Sequence, residues 1–564
     1  MKKLLLAVCA VSCLLIAQEA AQEKVDQVTT AKIRSEEMEH SQIMRIEHMI
    51  TDRYGPRLTG SPNHEAAVKW AVAEFTRFGL KNAHTESWDF ARAGWMNERA
   101  VGFINSPVKE NLKFEVLGWT PSTNGAVTGS AIQLIPPQGP EVPVDPNAQA
   151  AGGGRGGLGG RGGGPQRLQP TKEEFAQWIA ANQDKVRGKI VMVGKQTVVD
   201  IMAEQPARRR DDAANIAQYD PDNPNAGRGG RGNFPGGGRG RGGTPDPTRM
   251  TAAEVQDQID AMLLTGGALV RLNDAARANG IIVAQSHRAY DVTKTIPTAI
   301  IRNDDYGRIE RLLADGEDVQ LEFNILNHTY PEGKTSYNVV AEIPGSDKAD
   351  EIVMLGGHFD SWHAATGATD NGIGSAIMME AARVIQSLGL KPRRTIRVAL
   401  WSGEEEGLLG SLAYVKQHFG TAEEPKPEWQ KLDVYFNVDT GTGRIRGASV
   451  FGPPAAAAAL RPVFMDFLYY GVGGISTTSS RATGGTDSTS FNNAGLAGVG
   501  CSQDPIDYNV LTHHTNLDTY ERILPDDVKK DAAIIAAAVW HAANRDQMIP
   551  RFTKETMPAP QPAR

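Results

Sequence analysis

Cysteine is scarce in this chain. Only three cysteines occur among its 564 residues, and two of them, Cys9 and Cys13, lie in an apolar N-terminal segment. A mature chain without that segment keeps only Cys501, which excludes an intrachain disulfide and a cysteine-rich metal site. Any metal ion bound by such a chain would therefore have to be held by histidine nitrogen and carboxylate oxygen atoms.

An excess of positive charge and long apolar runs are also lacking. The formal net charge is −7, with 59 Lys and Arg against 66 Asp and Glu, so the composition gives no reason to expect a nucleic-acid partner. No apolar stretch after the N-terminal one is long enough to cross a bilayer, so we expect no stable membrane span in the mature chain. Glycine, in contrast, is abundant at 60 residues, which indicates low-complexity segments.

The N-terminus has the pattern of an export signal. Lys2 and Lys3 form a short basic region, and the apolar run from Leu4 to Ala17 has the length of a signal peptide rather than of a membrane span. We therefore predict a signal peptide over residues 1–21 and an exported protein, either periplasmic or extracellular. The alternative is an uncleaved anchor, and the sequence leaves the position of cleavage open.

Changes in composition divide the rest of the chain. Two Gly/Arg-rich stretches, 152–164 and 227–243, are typical of flexible, solvated loops. They lie within a region of short apolar runs, such as residues 281–284, which predict strands and an inserted β-rich domain. The predicted boundaries are 22–124 for the N-terminal part of the main domain, 125–330 for the insert, 331–548 for the rest of the main domain, and 549–564 for a flexible tail.

The main domain alternates strands and helices. Apolar runs predict strands at 336–343, 351–355, 395–401 and 433–437, and helical spacing predicts helices at 372–388 and 410–418. Such alternation is typical of an α/β fold with a mixed, largely parallel central sheet flanked by helices. In sheets of this kind, ligands bind at the carboxyl ends of the strands.

Three adjacent glutamates follow one of these predicted strands. Glu404, Glu405 and Glu406 come soon after the apolar run that ends at Trp401. Adjacent acidic side chains at the end of a buried strand repel one another and resist desolvation unless a positive charge lies beside them. A bound metal ion is the simplest such charge, and a solvated acidic turn is the alternative.

Other residues of metal-binding type occur at comparable positions. His358 and Asp439 each follow a predicted strand, Asp370 precedes a Gly-rich helix start, and His514 lies late in the chain. Taken singly, Asp370 is typical of a helix N-cap and each histidine of a core or surface residue. Together with the glutamates they indicate a metal site at one edge of the sheet. Their nitrogen and oxygen atoms suit zinc, and five ligands are the number that a bridged two-zinc site needs.

A set of motifs carries a resemblance to a known family. The motifs are His358-Phe359-Asp360-Ser361-Trp362, Asp370, Gly403 to Ser411, Asp439, His514-Thr515 with Asp518-Thr519, Gly55 to Ser61, and Gly484 to Asp487. On these motifs the chain resembles the zinc aminopeptidase family, which includes bacterial leucyl aminopeptidases, glutamate carboxypeptidase and carboxypeptidase Q. It looks most like the carboxypeptidase Q-like branch, and its insert resembles the protease-associated domain that these enzymes often carry. The Gly/Arg-rich loops fall outside the resemblance.

The resemblance implies two zinc ions per chain with five ligands. The implied set is His358 and Asp439 for one ion, Glu405 and His514 for the other, and Asp370 as the bridge. Glu404 is the implied general base, which takes a proton from a zinc-bridging water. In an extended segment neighbouring side chains point apart, so that Glu405 can bind metal while Glu404 faces the substrate.

Further roles follow from the same resemblance. Asp360 is expected to hydrogen-bond the imidazole of His358 and fix its tautomer, and Asp518 is expected to support His514 in the same way. Three further residues are expected near the substrate, with a packing, surface or capping role as the alternative for each: Asp487, Tyr508 and His513.

The implied function is that of an exported zinc metallopeptidase. It would be an exopeptidase that hydrolyses short peptides, of aminopeptidase or dipeptidase type, and a homodimer is compatible with the sequence. The chain departs from its branch at His363 and Asn371, where Asp is common, and this bears on substrate preference more than on the metals. Two alternatives use the same fold. One is a glutaminyl cyclase-type acyltransferase, which usually binds one zinc, and the other is a catalytically inactive, receptor-like binding protein.

Overall fold

The computed structural model describes residues 24–142, 167–199, 209–223, 246–482 and 485–560. The predicted signal peptide and both Gly/Arg-rich stretches lie outside these described residues, as do the last residues of the predicted tail. The structure therefore bears on the two predicted domains and not on export or on those loops.

Strands and helices occur in all the longer described ranges. In chain order the strands are β1 (Lys81–Asp89), β2 (Gly94–Ser106), β3 (Glu110–Asn111), β4 (Phe114–Val116), β5 (Val127–Leu134), β6 (Ile190–Val193), β7 (Val270–Asp274), β8 (Thr298–Ile301), β9 (Gln320–Tyr330), β10 (Thr335–Ile343), β11 (Lys348–His358), β12 (Arg394–Trp401), β13 (Leu432–Asn437), β14 (Ile445–Phe451), β15 (Ile475–Thr478) and β16 (Gly498–Gln503). The helices are α1 (Gln27–His40), α2 (Ile43–His48), α3 (Pro62–Arg77), α4 (Lys172–Asn182), α5 (Asp212–Tyr219), α6 (Ala252–Gly266), α7 (Asn303–Ala314), α8 (Ile373–Ser387), α9 (Leu409–His418), α10 (Pro454–Met465), α11 (Ser488–Asn493) and α12 (Pro525–Asn544).

The sheet of the main domain has the spatial strand order β1-β10-β12-β11-β13-β16-β14-β15. Its central strands β12, β11, β13 and β16 pair in parallel. Strand β10 pairs antiparallel with β1 and β12, whereas β14 pairs antiparallel with β16 and parallel with β15. The central strands are buried on both faces, which explains why their sequences are nearly continuous apolar runs. The predicted α/β fold with a mixed sheet is confirmed.

Helices cover both faces of this sheet. Successive residues of β11 point to opposite faces, so Val353 and Leu355 pack into one core cluster and Ile352 and Met354 into another. The first cluster contains α8 and the alanine-rich α12, and the second contains residues of α9 and α11. Among the described helices, none combines the length and the apolar character needed to cross a membrane.

The insert forms a second sheet with the spatial order β3-β2-β9-β5-β6-β7-β8-β4. Its strands β5 to β8 pair in parallel. Helices α4, α5 and α6 lie between these strands in the chain, and α7 follows β8. The second sheet includes strands that precede residue 125, the predicted start of the insert, since β2 pairs with β9 from Gly94 to Ser106 and β4 pairs with β8. The second sheet therefore begins at Gly94. Its identity as a protease-associated domain stays a prediction.

Candidate metal centre

Two of the predicted ligands lie at the ends of neighbouring parallel strands. His358 is the last residue of β11, and Asp439 follows the end of β13, which pairs with β11 as far as Gly356 opposite Asn437. Because the carboxyl ends of parallel strands meet at one edge of the sheet, the two side chains converge. Nε2 of His358 lies 3.3 Å from Oδ1 of Asp439.

Asp370 lies between this pair and the other predicted ligands. It lies in the segment Ala368–Gly372 that leads into α8. The backbone angles of Asp370 and Asn371 are not helical, and the bond between the two residues is cis. Its Oδ1 is 3.4 Å from Nε2 of His358, and its Oδ2 is 3.2 Å from Nε2 of His514. One carboxylate thus faces two histidines with its two oxygens, which is the arrangement expected of a bridging ligand.

Glu405 and His514 form the remaining part of the cluster. Glu405 follows β12 after a turn at Gly403, whose φ of 70° favours glycine. An added Cβ at Gly403 would also lie 2.6 Å from the ring of Trp88, so the turn has no room for a side chain. Oε2 of Glu405 lies 3.0 Å from Nε2 of His514. All five predicted ligands are therefore brought together.

The donor atoms fit a bound cation. Two groups of candidate ligand atoms, each within 4.8 Å of one another, share Asp370: His358 with Asp439, and His513 with His514. Within the described part of the chain, four buried atoms of the cluster have no hydrogen-bond partner: Nε2 of His358, Oδ2 of Asp370, Oε1 of Glu405 and Oδ1 of Asp439. Buried polar atoms are otherwise almost always paired. Imidazole nitrogen with carboxylate oxygen is the donor set that suits zinc.

Electrostatics indicates the same need for positive charge. Burial raises the pKa of Glu404 and of Glu405 well above the ordinary value, and nearby carboxylates raise it further. Burial lowers the pKa of His358, but neighbouring carboxylates outweigh it and hold that pKa well above its usual range. For Asp370, burial raises the pKa, but the adjacent histidines outweigh it and hold the pKa low. The histidines alone leave several buried carboxylates uncompensated.

Asp360 contacts His358 through its main chain and not, as predicted, through its carboxylate. Nδ1 of His358 lies 3.0 Å from the main-chain oxygen of Asp360, whereas the carboxylate oxygen Oδ1 is 3.7 Å away, beyond hydrogen-bond distance. The main-chain carbonyl therefore fixes the tautomer with the proton on Nδ1. The carboxylate of Asp360 instead accepts hydrogen bonds from the main-chain N–H groups of Glu404 and Glu405, each at 3.3 Å.

Asp518 was predicted to hydrogen-bond His514, but its carboxylate bonds other residues. The carboxylate of Asp518 accepts from the main-chain N–H groups of Thr369 at 2.6 Å and Asp370 at 3.0 Å, so it fixes the bridging residue instead. Burial raises the pKa of Asp518 to about 7. The side chain that meets Nδ1 of His514 is Gln285, which belongs to the second sheet's part of the chain.

Glu404 has the position that a general base needs. Its side chain is 11% exposed, and its Oε2 lies 3.9 Å from Nε2 of His358. The neighbouring Glu405 side chain is 3% exposed and faces His514. The two glutamates thus point to different surroundings, although their assignment as base and ligand stays a prediction.

The three predicted substrate-binding residues differ in their surroundings. His513 stacks on His514 with ring centres 3.7 Å apart and lies 3.9 Å from Asp370, so it is also a candidate ligand. Tyr508 is buried, and burial together with nearby carboxylates raises its pKa well above the ordinary value, which keeps the hydroxyl a donor. Asp487 is fully buried at the start of α11, and burial raises its pKa to about 7. Their contact with substrate stays a prediction.

The two departures from the family pattern lie against main chain rather than in the cluster. Nε2 of His363 lies 2.7 Å from the carbonyl oxygen of Val116, and its ring contacts Trp95. The side-chain amide of Asn371 donates to the carbonyl of Val438 at 2.9 Å. Both residues therefore support the positions of neighbouring segments.

Arg57 belongs to the Gly55 to Ser61 motif of the family resemblance, but its role was not predicted. Arg57 is fully buried. Its guanidinium donates to the main-chain carbonyls of Ile50, Gly55, Phe359, Thr366 and Gly367 at 2.7–3.1 Å. Phe359 directly follows His358, and Thr366 and Gly367 precede Asp370. One side chain thus ties together the segments that carry two ligands, and a lone arginine in a turn-rich motif was the only signal of it in the sequence.

Thr59, from the same motif, fastens the segment of the glutamates. Its hydroxyl accepts a hydrogen bond from the N–H of Gly403 at 3.0 Å and donates to Oδ2 of Asp360 at 3.2 Å. Together with the bonds from Glu404 and Glu405 to Asp360, this network fixes the turn after β12.

Comparison with known proteins shows which family the main domain resembles. Residues 338–539 match peptidase family M28. Carboxypeptidase Q of Mus musculus is 32% identical over 262 residues, which are 46% of this chain and 53% of that protein. This chain therefore spans about half the length of the curated relatives that it matches. Residues 338–539 therefore resemble peptidase family M28, and this match supports the predicted class, a metallopeptidase.

Solved structures support the fold over nearly the whole chain. The Peptidase M28 precursor from Shewanella amazonensis SB2B has a TM-score of 0.60 at 23% identity and covers 94% of this chain and 99% of that one. The zinc aminopeptidase BSAP from Bacillus subtilis has a TM-score of 0.51 at 16% identity and covers 90% and 95%. Identities this low establish likeness of fold alone.

Proposed function

We propose that this chain is an exported, two-zinc exopeptidase that hydrolyses short peptides, as an aminopeptidase or a dipeptidase. The observation that carries the proposal is the convergence of five predicted ligands, with the two oxygens of Asp370 facing His358 on one side and His514 on the other. The match of residues 338–539 to peptidase family M28 and the fold shared with a zinc aminopeptidase of Bacillus subtilis support peptide substrates and zinc. Export rests on the predicted signal peptide over residues 1–21.

His358 and Asp439 would hold one zinc ion, Glu405 and His514 the second, and Asp370 would contact both. Zinc supplies a Lewis acid that polarises the peptide carbonyl and makes water acidic enough to attack near neutral pH. The chain prepares this site by fixing the histidine tautomers and by keeping five acidic or imidazole donors close together in a buried place. The shared position of Asp370 favours two ions over the single zinc usual in a cyclase.

Glu404 would move the proton in this reaction. Its Oε2 takes a proton from the attacking water and returns it to the nitrogen of the leaving amine, so that hydrolysis needs no external acid or base. A raised pKa suits both steps, because burial makes the protonated form of Glu404 accessible. The Asp360 carboxylate, which accepts from the Glu404 main chain, positions the base for this transfer.

The test combines metal content with hydrolysis. We expect the purified chain to contain near two zinc ions and to cleave members of a panel of aminoacyl anilides and free dipeptides. Which of the two substrate sets is cleaved decides whether a free amino or a free carboxyl end is required. Glu404→Gln should lower kcat by about 10²–10⁴-fold and leave zinc content unchanged.

The matched control is Glu406→Gln, the same substitution at the neighbouring buried glutamate. It should leave kcat within a few-fold of the wild-type value, because Glu406 is neither a predicted ligand nor the predicted base. Turnover by Glu404→Gln at the rate of the control would refute the assignment of the base. A chain with one zinc would favour the cyclase, and a chain with none would favour a binding protein.

A further inference from the structure

The loop that carries His514 is paired with the second sheet's part of the chain. The N–H of Ile282 donates to Oδ1 of Asn516 at 2.9 Å, and the N–H of Asn516 donates to the carbonyl of Ile282 at 3.0 Å. Val283 and Thr515 form an isolated antiparallel bridge beside them. A short segment of the insert therefore fixes the residues on the C-terminal side of His514.

The backbone of His514 has a conformation that needs such support. Its φ is 60°, in the left-handed region, which residues other than glycine rarely adopt. A non-glycine residue persists there when its surroundings determine the conformation. The bonds from the insert to Thr515 and Asn516 supply that constraint, together with the bond from the His513 N–H to the carbonyl of Tyr508 at 2.9 Å.

The insert also contacts the imidazole itself. The side-chain amide nitrogen of Gln285 lies 2.8 Å from Nδ1 of His514, while Nε2 of the same ring faces Glu405 and Asp370. Within the described residues, Nδ1 has no other hydrogen-bond partner. Gln285 therefore occupies the place at which a carboxylate or carbonyl usually orients a metal-binding histidine.

The contact of Gln285 decides which nitrogen of His514 carries the proton. Nε2 can bind a cation only with its lone pair free, so the proton must be on Nδ1 and the partner of Nδ1 must accept it. A glutamine amide presents an acceptor oxygen or a donor nitrogen at the same place after a half-turn of the amide group. With the amide oxygen toward His514, Nδ1 carries the proton and Nε2 is free to bind a metal ion. With the amide nitrogen toward His514, Nδ1 accepts a hydrogen bond from the amide, and Nε2 is not free.

We propose that Gln285 is a positioning residue of the metal centre: its amide oxygen accepts the Nδ1 proton of His514 and holds the tautomer that binds the second ion. The proposal rests on the two-zinc site of the proposed function. It makes the insert a structural part of that site, since the inserted region supplies both the hydrogen-bond partner of the ring and the backbone partner of its loop.

The test uses two substitutions of Gln285 in the full chain. Gln285→Met keeps the shape of the side chain and removes the acceptor, so the affinity for the more weakly bound Zn²⁺ should fall by about 10–100-fold in competition with a chromophoric chelator. Gln285→Glu is acceptor-only and should keep that affinity within a few-fold of wild type or raise it. With Co²⁺ in place of Zn²⁺, the visible absorption of the second ion should weaken in Gln285→Met and return in Gln285→Glu.

Gln133, in β5 of the second sheet, provides matched controls. Its side chain is also half-buried, and its amide donates to the carbonyl of Gly194 at 2.8 Å. Gln133→Met and Gln133→Glu should bind both ions as the wild type does. Wild-type affinity in Gln285→Met, or equal losses in Gln285→Met and Gln285→Glu, would overturn the role of Gln285 alone. A wild-type chain that binds fewer than two ions would overturn the proposed function, and this role with it.

Discussion

The two halves of the candidate metal centre are built in different ways. In the strand half, His358 and Asp439 follow neighbouring parallel strands, and their side chains are 1% and 8% exposed. In the loop half, Glu405 lies on a turn after β12 and is 3% exposed, whereas His514 lies on an irregular loop and is 22% exposed. The strand half is thus fixed by the hydrogen bonds of one sheet, and the loop half depends on contacts with the insert.

This difference shows that residues from both sheet regions build the site. The strand half follows directly from the order of the parallel strands, because their carboxyl ends meet. The loop half depends on contacts between the loop of His514 and residues in the second sheet's region, such as Gln285. We therefore expect changes in the insert to affect the ion at Glu405 and His514 first.

The largest effect on zinc content and activity is expected from two single variants, each of which removes the histidine of one half. His358→Ala and His514→Ala should each lower the zinc content from near two to near one and lower kcat by roughly 10³-fold or more, since loss of an ion removes charge stabilisation worth several kcal/mol. The two variants should differ in the stability of the metal-free chain. His358→Ala should lower the free energy of unfolding by about 2–3 kcal/mol through a buried cavity, and His514→Ala by about 1 kcal/mol or less.

Zinc analysis and denaturant unfolding in the presence of a chelator measure both quantities. Equal losses of stability in the two variants would contradict the difference between the halves. Retention of both ions by either variant would remove that histidine from the ligand set. A double variant should bind no zinc.

The sequence predicted the strand half better than the loop half, for a physical reason. The strands predicted at 351–355 and 433–437 correspond to β11 and β13, so their apolar runs were sufficient to place His358 and Asp439 at one edge of the sheet. The ligands of both halves were named by the family resemblance. The proximity of Glu405 and His514 in the loop half depends on contacts between residues far apart in the chain. No local sequence pattern encodes such contacts.

The same limit explains what the sequence did not predict. Residues 281–284 were predicted as a strand, but they form an irregular segment with a single bridging residue, because their partner is the loop at Thr515 rather than a sheet. The insert was predicted to begin at 125, since β2 to β4 have no composition that separates them from the main domain. Helix α12 was not predicted, although Pro525 at its start is a standard helix signal.

Arg57 should affect the strand half and the bridge together. Arg57→Lys keeps the charge but offers three donors where five carbonyls are contacted. At least two carbonyls then lose a donor, at about 1–3 kcal/mol each, so stability should fall by at least about 2 kcal/mol. Affinity for the ion beside His358 should fall by about tenfold. Thermal unfolding of the metal-free chain and chelator competition measure the two effects.

Arg77→Lys provides the control, because Arg77 is a partly exposed arginine of α3 that pairs with Glu74. It should change stability by about 0.5 kcal/mol or less and leave ion binding unchanged. If Arg57→Lys lowered stability but left the affinity for both ions intact, the hydrogen bonds of Arg57 would serve the fold and not the site. The parallel strands would then be the support of the strand half without Arg57.

The smallest effect on activity is expected from a change at Thr59. This residue supports the turn that carries Glu404, the predicted base, and Glu405, a predicted ligand of the loop half. Thr59→Val keeps the shape and removes the bonds to Gly403 and Asp360, so stability should fall by about 1–2 kcal/mol. The turn carrying Glu404 should loosen, and kcat should fall by roughly 3–10-fold at unchanged zinc content, because a small displacement of a proton-transfer group lowers its efficiency.

Thr59→Ser keeps the hydroxyl and should restore kcat to near the wild-type value, which separates the hydrogen bonds from the lost methyl group. Steady-state kinetics with zinc analysis on the same preparations measures both quantities. If Thr59→Val lost one zinc ion instead, the network would hold Glu405 as a ligand rather than Glu404 as a base. The loop half would then depend on the N-terminal motif as well as on Gln285, and its two ligands would be fixed from opposite sides by segments distant in the chain.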